Sequence, residues 1–320
     1  MITKTKTALV IGCNGQDGAL ICNSLLKKGY KVIGGSRNSK DNLDKLNQLG
    51  IAKEFEIKKA DIKNSNEIEN LISYCQPETI FNLAAQSSVG KSINHPIDTI
   101  EGIVNGTLNL LEVSRKINYT GKIFFAGSCE MFGNTEIKAD IHHKQNPMSP
   151  YGIAKQTSFN LVKLYREIHS LKCVTGVFFN HESHLRNESF VTQKIIKGAY
   201  EIKNNRQKKL KLGNIDIIRD WGWAPEYIEA VQLITDSPNL KDHIICSGVS
   251  NSLKIFIEKV FNAYGLNWHE HIEIDKNFLR QNEIKSSYGD PNPLFKDLGW
   301  KAKVDLDSII VNLIKLSNRN

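Results

Sequence analysis

Tyr151 and Lys155 stand four positions apart in the run Pro150-Tyr-Gly-Ile-Ala-Lys155. If this run is helical, both side chains share one face about one turn apart. A free phenol titrates near pH ~10 and is a poor base at neutrality. A neighbouring ammonium favours the phenolate. Such a pair could take the proton of a hydroxyl while hydride leaves the same carbon. Upstream, Ala126-Gly-Ser128-Cys-Glu130 follows a short β-branched and aromatic run. The Ser128 hydroxyl could hydrogen-bond the reacting oxygen. Glu130 adds a carboxylate that oxidation of an alcohol does not need. Beside a forming ketone, it could take the acidic proton of the adjacent carbon and then protonate a leaving hydroxyl. The combination reads as oxidation, elimination and reduction in one site. Cys129 is out of step with both neighbours and reads as core.

Hydride chemistry needs a carrier. Ala8-Leu-Val-Ile-Gly12-Cys-Asn14-Gly15-Gln16-Asp17-Gly18 runs from a strand pattern into a Gly-rich turn and a helix pattern. Gly12 permits the tight turn, Gly15 lets backbone approach a pyrophosphate, and Gly18 lets helix and strand pack closely. The helix N-terminus then offers free N–H groups and a positive dipole end to phosphates. After the second strand pattern, an acid would suit a ribose hydroxyl and an Arg a ribose phosphate. The sequence there is Arg37-Asn38-Ser39-Lys40, with no acid before Asp41. That choice points to NADP. Asp61-Ile62, after the third strand pattern, is placed to meet the adenine. On a surface helix Tyr-x-x-x-Lys is commonplace; downstream of this fingerprint it gains meaning.

The elements that must position these residues alternate over the first 180 positions. Strand patterns fall at 7–11, 31–34, 54–57, 79–83, 122–126 and 173–179, with helical patterns near 17–28, 64–74, 99–117 and 151–169. This alternation predicts an α/β fold, a doubly wound parallel Rossmann sheet covered on both faces. Later helical patterns, near 191–203, 224–235, 252–264 and 305–317, sit among polar loops. They predict a smaller, mostly C-terminal substrate-binding domain over 181–320. The dinucleotide domain is expected over 1–180 with a return segment near 212–246, and the active site in the cleft between the two.

The 320 residues carry a formal charge of +8, densest at 204–211. That run lacks aromatic interleaving, so a nucleic-acid partner is not expected. No 18-residue apolar run predicts a membrane helix. The opening residues are too short an apolar stretch for a signal peptide, and the cytoplasm is the expected compartment. The six cysteines show no zinc spacing and read as core residues. No metal site is expected.

Together these residues resemble the extended short-chain dehydrogenase/reductase superfamily and, within it, the GDP-mannose 4,6-dehydratase family. The resemblance covers nearly the whole chain. Gly12-Cys-Asn-Gly-Gln-Asp-Gly18, Phe81-Asn-Leu-Ala-Ala-Gln-Ser87 and Ser149-Pro-Tyr-Gly-Ile-Ala-Lys155 look like family segments. More diagnostic are Phe179-Asn-His-Glu-Ser183, Leu212-Gly-Asn-Ile-Asp216 and Arg219-Asp-Trp-Gly222, with Leu279-Arg-Gln-Asn-Glu-Ile284, Gly289-Asp-Pro291 and Leu298-Gly-Trp300 near the end. The resemblance implies catalytic roles for Ser128, Glu130, Tyr151 and Lys155. It implies cofactor contacts at Gly12 through Gly18, Arg37 through Lys40, Asp61-Ile62, Leu83-Ala84-Ala85-Gln86-Ser87, Tyr151, Lys155, His181 and Arg186, with Lys155 also holding the nicotinamide ribose. Nucleotide-sugar contacts are implied at Ser87, Asn180, Lys194, Gly213, Arg219, Arg280 and Glu283. A guanidinium fork at Arg219 also suits a diphosphate on its own chemistry; an ion pair with Asp216 or Asp220 is the other reading.

The implied reaction is the 4,6-dehydration of a GDP-hexose. Several positions depart from the family pattern. Its catalytic Thr is Ser128, its Pro-Arg-Arg is His184-Leu185-Arg186, and a Tyr of the cofactor wall is Asp98. These changes leave GDP-N-acetylglucosamine open beside GDP-mannose. A 4-oxidase, 4-epimerase or 4-reductase shares most of the motifs, and a non-catalytic NADP sensor is the remote alternative. The second Arg of the family's tetramer contact is Asn38, so a homodimer is expected, through a bundle of helices 99–117 and 151–169, and a tetramer is left open.

Overall fold

The computed structural model describes residues 5–37, 43–280 and 282–317. Among them the strands are β1 Thr7–Ile11, β2 Lys31–Ser36, β3 Glu56–Lys59, β4 Thr79–Asn82, β5 Lys122–Ser128, β6 Cys173–Phe178, β7 Asn180–Glu182, β8 Leu210–Leu212, β9 Ile218–Trp223, β10 His243–Ile245, β11 Ser250–Ser252 and β12 Ile272–Ile274. The chain divides into two compact units. The first comprises Met1–Met131, Ser149–Phe178 and Ile228–His243; the second comprises Phe132–Met148, Phe179–Tyr227 and Ile244–Asn320.

The first unit is built on the sheet ordered β10-β6-β5-β4-β1-β2-β3. The pairs from β3 through β6 are parallel. This is the doubly wound order, with its switch point between β1 and β4. Both faces of the central strands are buried: Ala8, Leu9, Val10 and Ile11 are all at or near zero exposure. Buried faces on both sides explain why β1 reads as an unbroken apolar run rather than an alternation. On one face Leu9, Ile11, Ile80, Ile123 and Phe125 form a core with Ile68, Leu71, Leu110, Leu111 and Val162, drawn from helices Ser65–Cys75, Gly106–Lys116 and Pro150–His169.

The expected helix over 99–117 is interrupted. Pro96–Ile100 is α-helical, Glu101–Asn105 makes a π turn, and Gly106–Lys116 resumes the α-helix. A π turn widens the backbone ladder locally and often lies near functional sites. Here Ser158 Oγ donates to the Ile103 carbonyl at 3.3 Å, and Ile103 packs with Tyr151 and Ala154. Gly106 is required where the α-helix resumes, because a Cβ there would lie 2.8 Å from Ile62. The third strand lies at 56–59 rather than 54–57. Residues 51–54 are used in a turn, with Glu54 N donating to Ile51 O at 3.0 Å, and Glu56 takes the register opposite Ile33.

The second unit holds a three-stranded sheet, β11-β9-β7, and a two-stranded one, β12-β8. β7 and β9 are parallel, whereas β11 is antiparallel to β9. Trp221 from β9 enters a core with Ile195, Phe256, Val260 and Ile309. Segment 132–148 is held to 285–290 by backbone bonds, Thr135 N to Ser286 O at 3.1 Å and Ala139 N to Tyr288 O at 2.9 Å. No helix among the described residues is long and apolar enough to cross a membrane.

Candidate active site

The Gly-rich turn leaves β1 at the switch point. Gly12 has φ +88°, and a Cβ there would lie 2.7 Å from Ala84 N. Gly12 N donates to Gly35 O at 2.8 Å. The turn is thereby pressed against the exit of β4, which begins the Leu83–Ser87 wall. A Cβ on Gly18 would lie 2.1 Å from Gly12 O, whereas one on Gly15 meets only Gly12 O, at 3.3 Å. Protein packing therefore demands glycine at 12 and 18 but not at 15. Gly15 is also the N-cap of the Gln16–Lys27 helix and supplies no capping side chain. The first turn thus presents backbone donors beside a position kept free of side chain, and this arrangement fits a pyrophosphate. Gly18→Ala is expected to cost about 1–3 kcal/mol by overpacking. Gly15→Ala should fold normally yet bind dinucleotide more weakly; thermal unfolding with a dinucleotide titration separates the two.

The remaining cofactor candidates of the first unit follow the strand ends. Arg37 is exposed just after β2, while Asn38, Ser39 and Lys40 lie outside the described residues. Asp61 accepts from Lys63 N at 3.0 Å, and Ile62 is buried. Asn109 Nδ2 fixes that turn by donating to Ile62 O and Lys63 O at 3.2 and 2.7 Å; no sequence signal pointed to it. The Gln86 amide is engaged locally, donating to Ser88 O and Thr99 Oγ1 and accepting from Ser88 N. Its neighbours Ala85 and Ser87 are exposed. Gln16 Nε2 donates to Asp17 Oδ1 at 3.0 Å, and Cys13 Sγ lies 3.1 Å from Asn14 Oδ1.

The catalytic candidates are brought together by one helix and one strand. Ser149 Oγ caps Gly152 N at 3.0 Å and Pro150 occupies the first helical turn, which starts the Pro150–His169 helix just before Tyr151. This helix packs on β5 and on the single 3₁₀ turn Cys129–Met131 that follows it. Ser128 ends β5, is buried, and accepts from Glu130 N at 3.3 Å. Tyr151 and Lys155 are both buried. Lys155 Nζ donates to Ala126 O at 2.7 Å and lies 5.7 Å from the Tyr151 ring centroid. Burial pulls the Lys155 ammonium down to about 8, and the Asp17 charge pushes it partly back up. An ammonium beside the phenol is the arrangement that favours phenolate. The Asp17–Lys155 coupling lies outside what residue spacing could reveal, since the two are far apart in the chain.

The second unit carries the other candidates. His181 is buried, with Nδ1 2.7 Å from Phe179 O, and its ring lies 5.2 Å from that of Tyr227. A carbonyl needs a donor, so Nδ1 carries the proton. Asn180 is half-buried on β7. The Arg186 guanidinium lies 3.8 Å from the Phe190 ring centroid. Lys194 donates to Lys211 O at 2.8 Å and covers the Phe278 ring; burial lowers its pKa. A Cβ on Gly213 would lie 2.5 Å from Phe278 O. Arg219 is buried and donates to Ile218 O at 2.9 Å. Glu283 is raised by burial, with Arg280 and Arg219 acting against it, and Arg280 lies 3.7 Å away. Asp220 is engaged elsewhere, accepting from Ser247 N, Ser247 Oγ and Gly248 N at 2.7–2.9 Å. Among the described residues no group of three His, Cys, Asp or Glu side chains could hold a metal.

A sequence profile described as GDP-mannose 4,6 dehydratase matches residues 9–313. The chain belongs to the GDP-mannose 4,6-dehydratase family. It is 35% identical over 325 residues to GDP-mannose 4,6 dehydratase 1 of Arabidopsis thaliana, covering 98% of this chain and 90% of that protein. It is 32% identical to GDP-mannose 4,6 dehydratase 2 of Caenorhabditis elegans, with 97% and 88% coverage. In fold it is similar to DesIV, a dTDP-glucose 4,6-dehydratase of Streptomyces venezuelae solved with NAD and TYD, at a TM-score of 0.88 and 17% identity, with 98% and 97% coverage.

Proposed function

We propose that this member of the GDP-mannose 4,6-dehydratase family converts GDP-mannose to its 4-keto-6-deoxy derivative with loss of water, using NADP. The observation that carries the reading is Glu130 beside Ser128, on the turn against which the Tyr151/Lys155 helix packs. When bound, the dinucleotide would supply reversible hydride storage between C4 and C6. Gly12 through Gly18 would hold its pyrophosphate, Asp61-Ile62 its adenine, and Arg37 with Asn38, Ser39 and Lys40 its ribose phosphate. Leu83 through Ser87, Tyr151, Lys155, His181 and Arg186 would complete its contacts. The nucleotide-sugar would be held at Ser87, Ser128, Glu130, Asn180, Lys194, Gly213, Arg219, Arg280 and Glu283, with Tyr151 at its C4 hydroxyl.

Tyr151 as phenolate takes the C4 hydroxyl proton, and Ser128 hydrogen-bonds that oxygen. The resulting ketone acidifies the C5 hydrogen, which Glu130 removes. Glu130 returns this proton to the departing C6 hydroxyl, which leaves as water. Tyr151 finally protonates C5. The balance is one water lost and no external oxidant used. Incubating the purified protein with GDP-mannose, beside GDP-N-acetylglucosamine, tests the reading. A 4-keto-6-deoxy product from GDP-mannose is expected, with NADP preferred over NAD. Accumulation of reduced dinucleotide with the C6 hydroxyl intact would reject dehydration.

The expected bundle of 99–117 and 151–169 is supported on its second helix, with the short helices Val89–Asn94 and Pro96–Ile100 beside it in sequence, and a homodimer is the assembly this favours. Ile93, Ile97, Ile153, Leu164 and Ile168 are large, apolar and 46–71% exposed. Positions 153, 164 and 168 recur at helical spacing along Pro150–His169, as a helix-bundle face requires. A single species of monomer mass in sedimentation would remove this part of the proposal.

A further inference from the structure

Asp220 is a buried carboxylate that the reaction scheme above does not use. It lies on β9 at zero exposure. Its Oδ1 accepts from Ser247 N at 2.9 Å and from Ser247 Oγ at 2.7 Å, and its Oδ2 accepts from Gly248 N at 2.8 Å. All three donors belong to the turn that leads into β11. The same turn is tied at two further points: Val249 N donates to Ser247 Oγ at 3.1 Å, and Lys138 Nζ donates to Gly248 O at 2.9 Å. Gly248 has φ +80°, and a Cβ there would lie 2.6 Å from Pro291. Burial pushes the Asp220 carboxyl up to about 6, although the bonds from Ser247 and Gly248 and the Lys138 charge pull it down. The neighbouring Cys246 thiol is pushed well up by its own burial and by the Asp220 charge. Desolvation thus outweighs the partners, and stability alone does not account for a charge at this position; a fixed geometry does.

We propose that Asp220 is a positioning residue: through Ser247 and Gly248 it fixes β11 in register on β9, and so sets the neighbouring Arg219 for the nucleotide diphosphate. The ladder places Ser250 opposite Asp220, Asn251 opposite Arg219 and Ser252 opposite Ile218. The turn gathered by Asp220 is the one that delivers β11 into this ladder. Successive side chains of a strand point to opposite faces, so Asp220 holds the turn on one face of β9 while Arg219 is presented on the other. Arg219 is itself buried and tied to Ile218 O, which makes its placement depend on where the β9 backbone lies. Asp220 acts through Arg219, and Ser247 is the residue that transmits its hold to the turn.

Only the binding arm of the test rests on the proposed GDP-sugar substrate. The direct arm is hydrogen exchange at the amides of residues 247–252. Asp220→Asn keeps an acceptor for Ser247 but turns an N–H toward that of Gly248, so these amides should exchange at least about tenfold faster. Ser247→Ala should act in the same direction, and Ser247→Thr, which keeps the hydroxyl, should restore the wild-type rate. In Ser247→Ala the Asp220 carboxyl, assigned by carbon-13 NMR from its loss in Asp220→Asn, should titrate about one pH unit higher, as expected for losing a hydrogen bond to a charged group. In the binding arm, GDP measured by calorimetry should bind about tenfold more weakly to Ser247→Ala. Dinucleotide affinity and turnover at saturating GDP-mannose should not change. Unchanged exchange at 247–252 in Ser247→Ala, or faster exchange with wild-type GDP affinity, overturns the proposal. A parallel loss of dinucleotide affinity also overturns it, because general loosening of the fold would produce that. If Asp220→Asn does not fold, Ser247→Ala decides. A wild type that binds no GDP sinks the substrate reading instead, and exchange at Arg219 and Asn251 in Ser247→Ala then decides the role of Asp220.

Discussion

Tyr151→Phe should lower turnover by about 10²–10⁴-fold, the range general acid–base groups supply, while dinucleotide affinity changes little. The reasoning is local. Phe keeps the ring that packs against Ile103 and Ala154, so the core survives and only the phenolic oxygen is removed. Every step of the scheme begins with that oxygen taking the C4 proton, so neither reduced dinucleotide nor 4-keto product should form. Stopped-flow absorbance of the reduced nicotinamide, read beside product analysis, checks this. The wild type should also show a characteristic pH dependence. Burial holds Lys155 at about 8, and its charged form assists the phenolate. As pH rises through that value the ammonium is lost, and turnover should decline rather than rise. Fully retained turnover in Tyr151→Phe would move the base elsewhere.

Glu130→Gln should separate the two halves of the reaction. Gln cannot take the C5 proton, so elimination should fall by about 10²–10⁴-fold. The C4 oxidation depends on Tyr151 and Lys155, and it should persist. Reduced dinucleotide should then build up to about one equivalent per active site, with the C6 hydroxyl still present by mass spectrometry. The main-chain bond from residue 130 to Ser128 Oγ does not involve the carboxylate, so the turn should keep its shape. Loss of oxidation and elimination together would place Glu130 in the first step instead.

The parts of this fold that were legible in the sequence are those where one local pattern determines one local structure. The strand patterns at 7–11, 31–34 and 122–126 are largely apolar because both faces of a parallel sheet are covered, and the strands run on to 36 and 128. Gly12 and Gly18 are readable because only hydrogen fits at either Cα. Ser149-Pro150 announces a helix start in the two residues before Tyr151. What escaped depends on distant residues. The π turn at 101–105 is bound up with Ser158 and Ile62, which approach it from other elements. The pairing of 132–148 with 285–290 is made largely by backbone groups, which no side-chain pattern announces. The short strands β7, β8, β11 and β12 have three residues each, too few to show a period. In the site, spacing brought out Tyr151 and Lys155, but not the Asp17 charge that acts on Lys155.

The uncapped start of the Gln16–Lys27 helix ties the durability of the protein to its diet. A dinucleotide phosphate is the guest such a helix start suits. With one, the phosphates complete the turn, and mass action adds about 2.7 kcal/mol at a hundredfold excess over the dissociation constant. A cell starved of the redox carrier would then lose the enzyme itself to proteolysis, as well as its turnover.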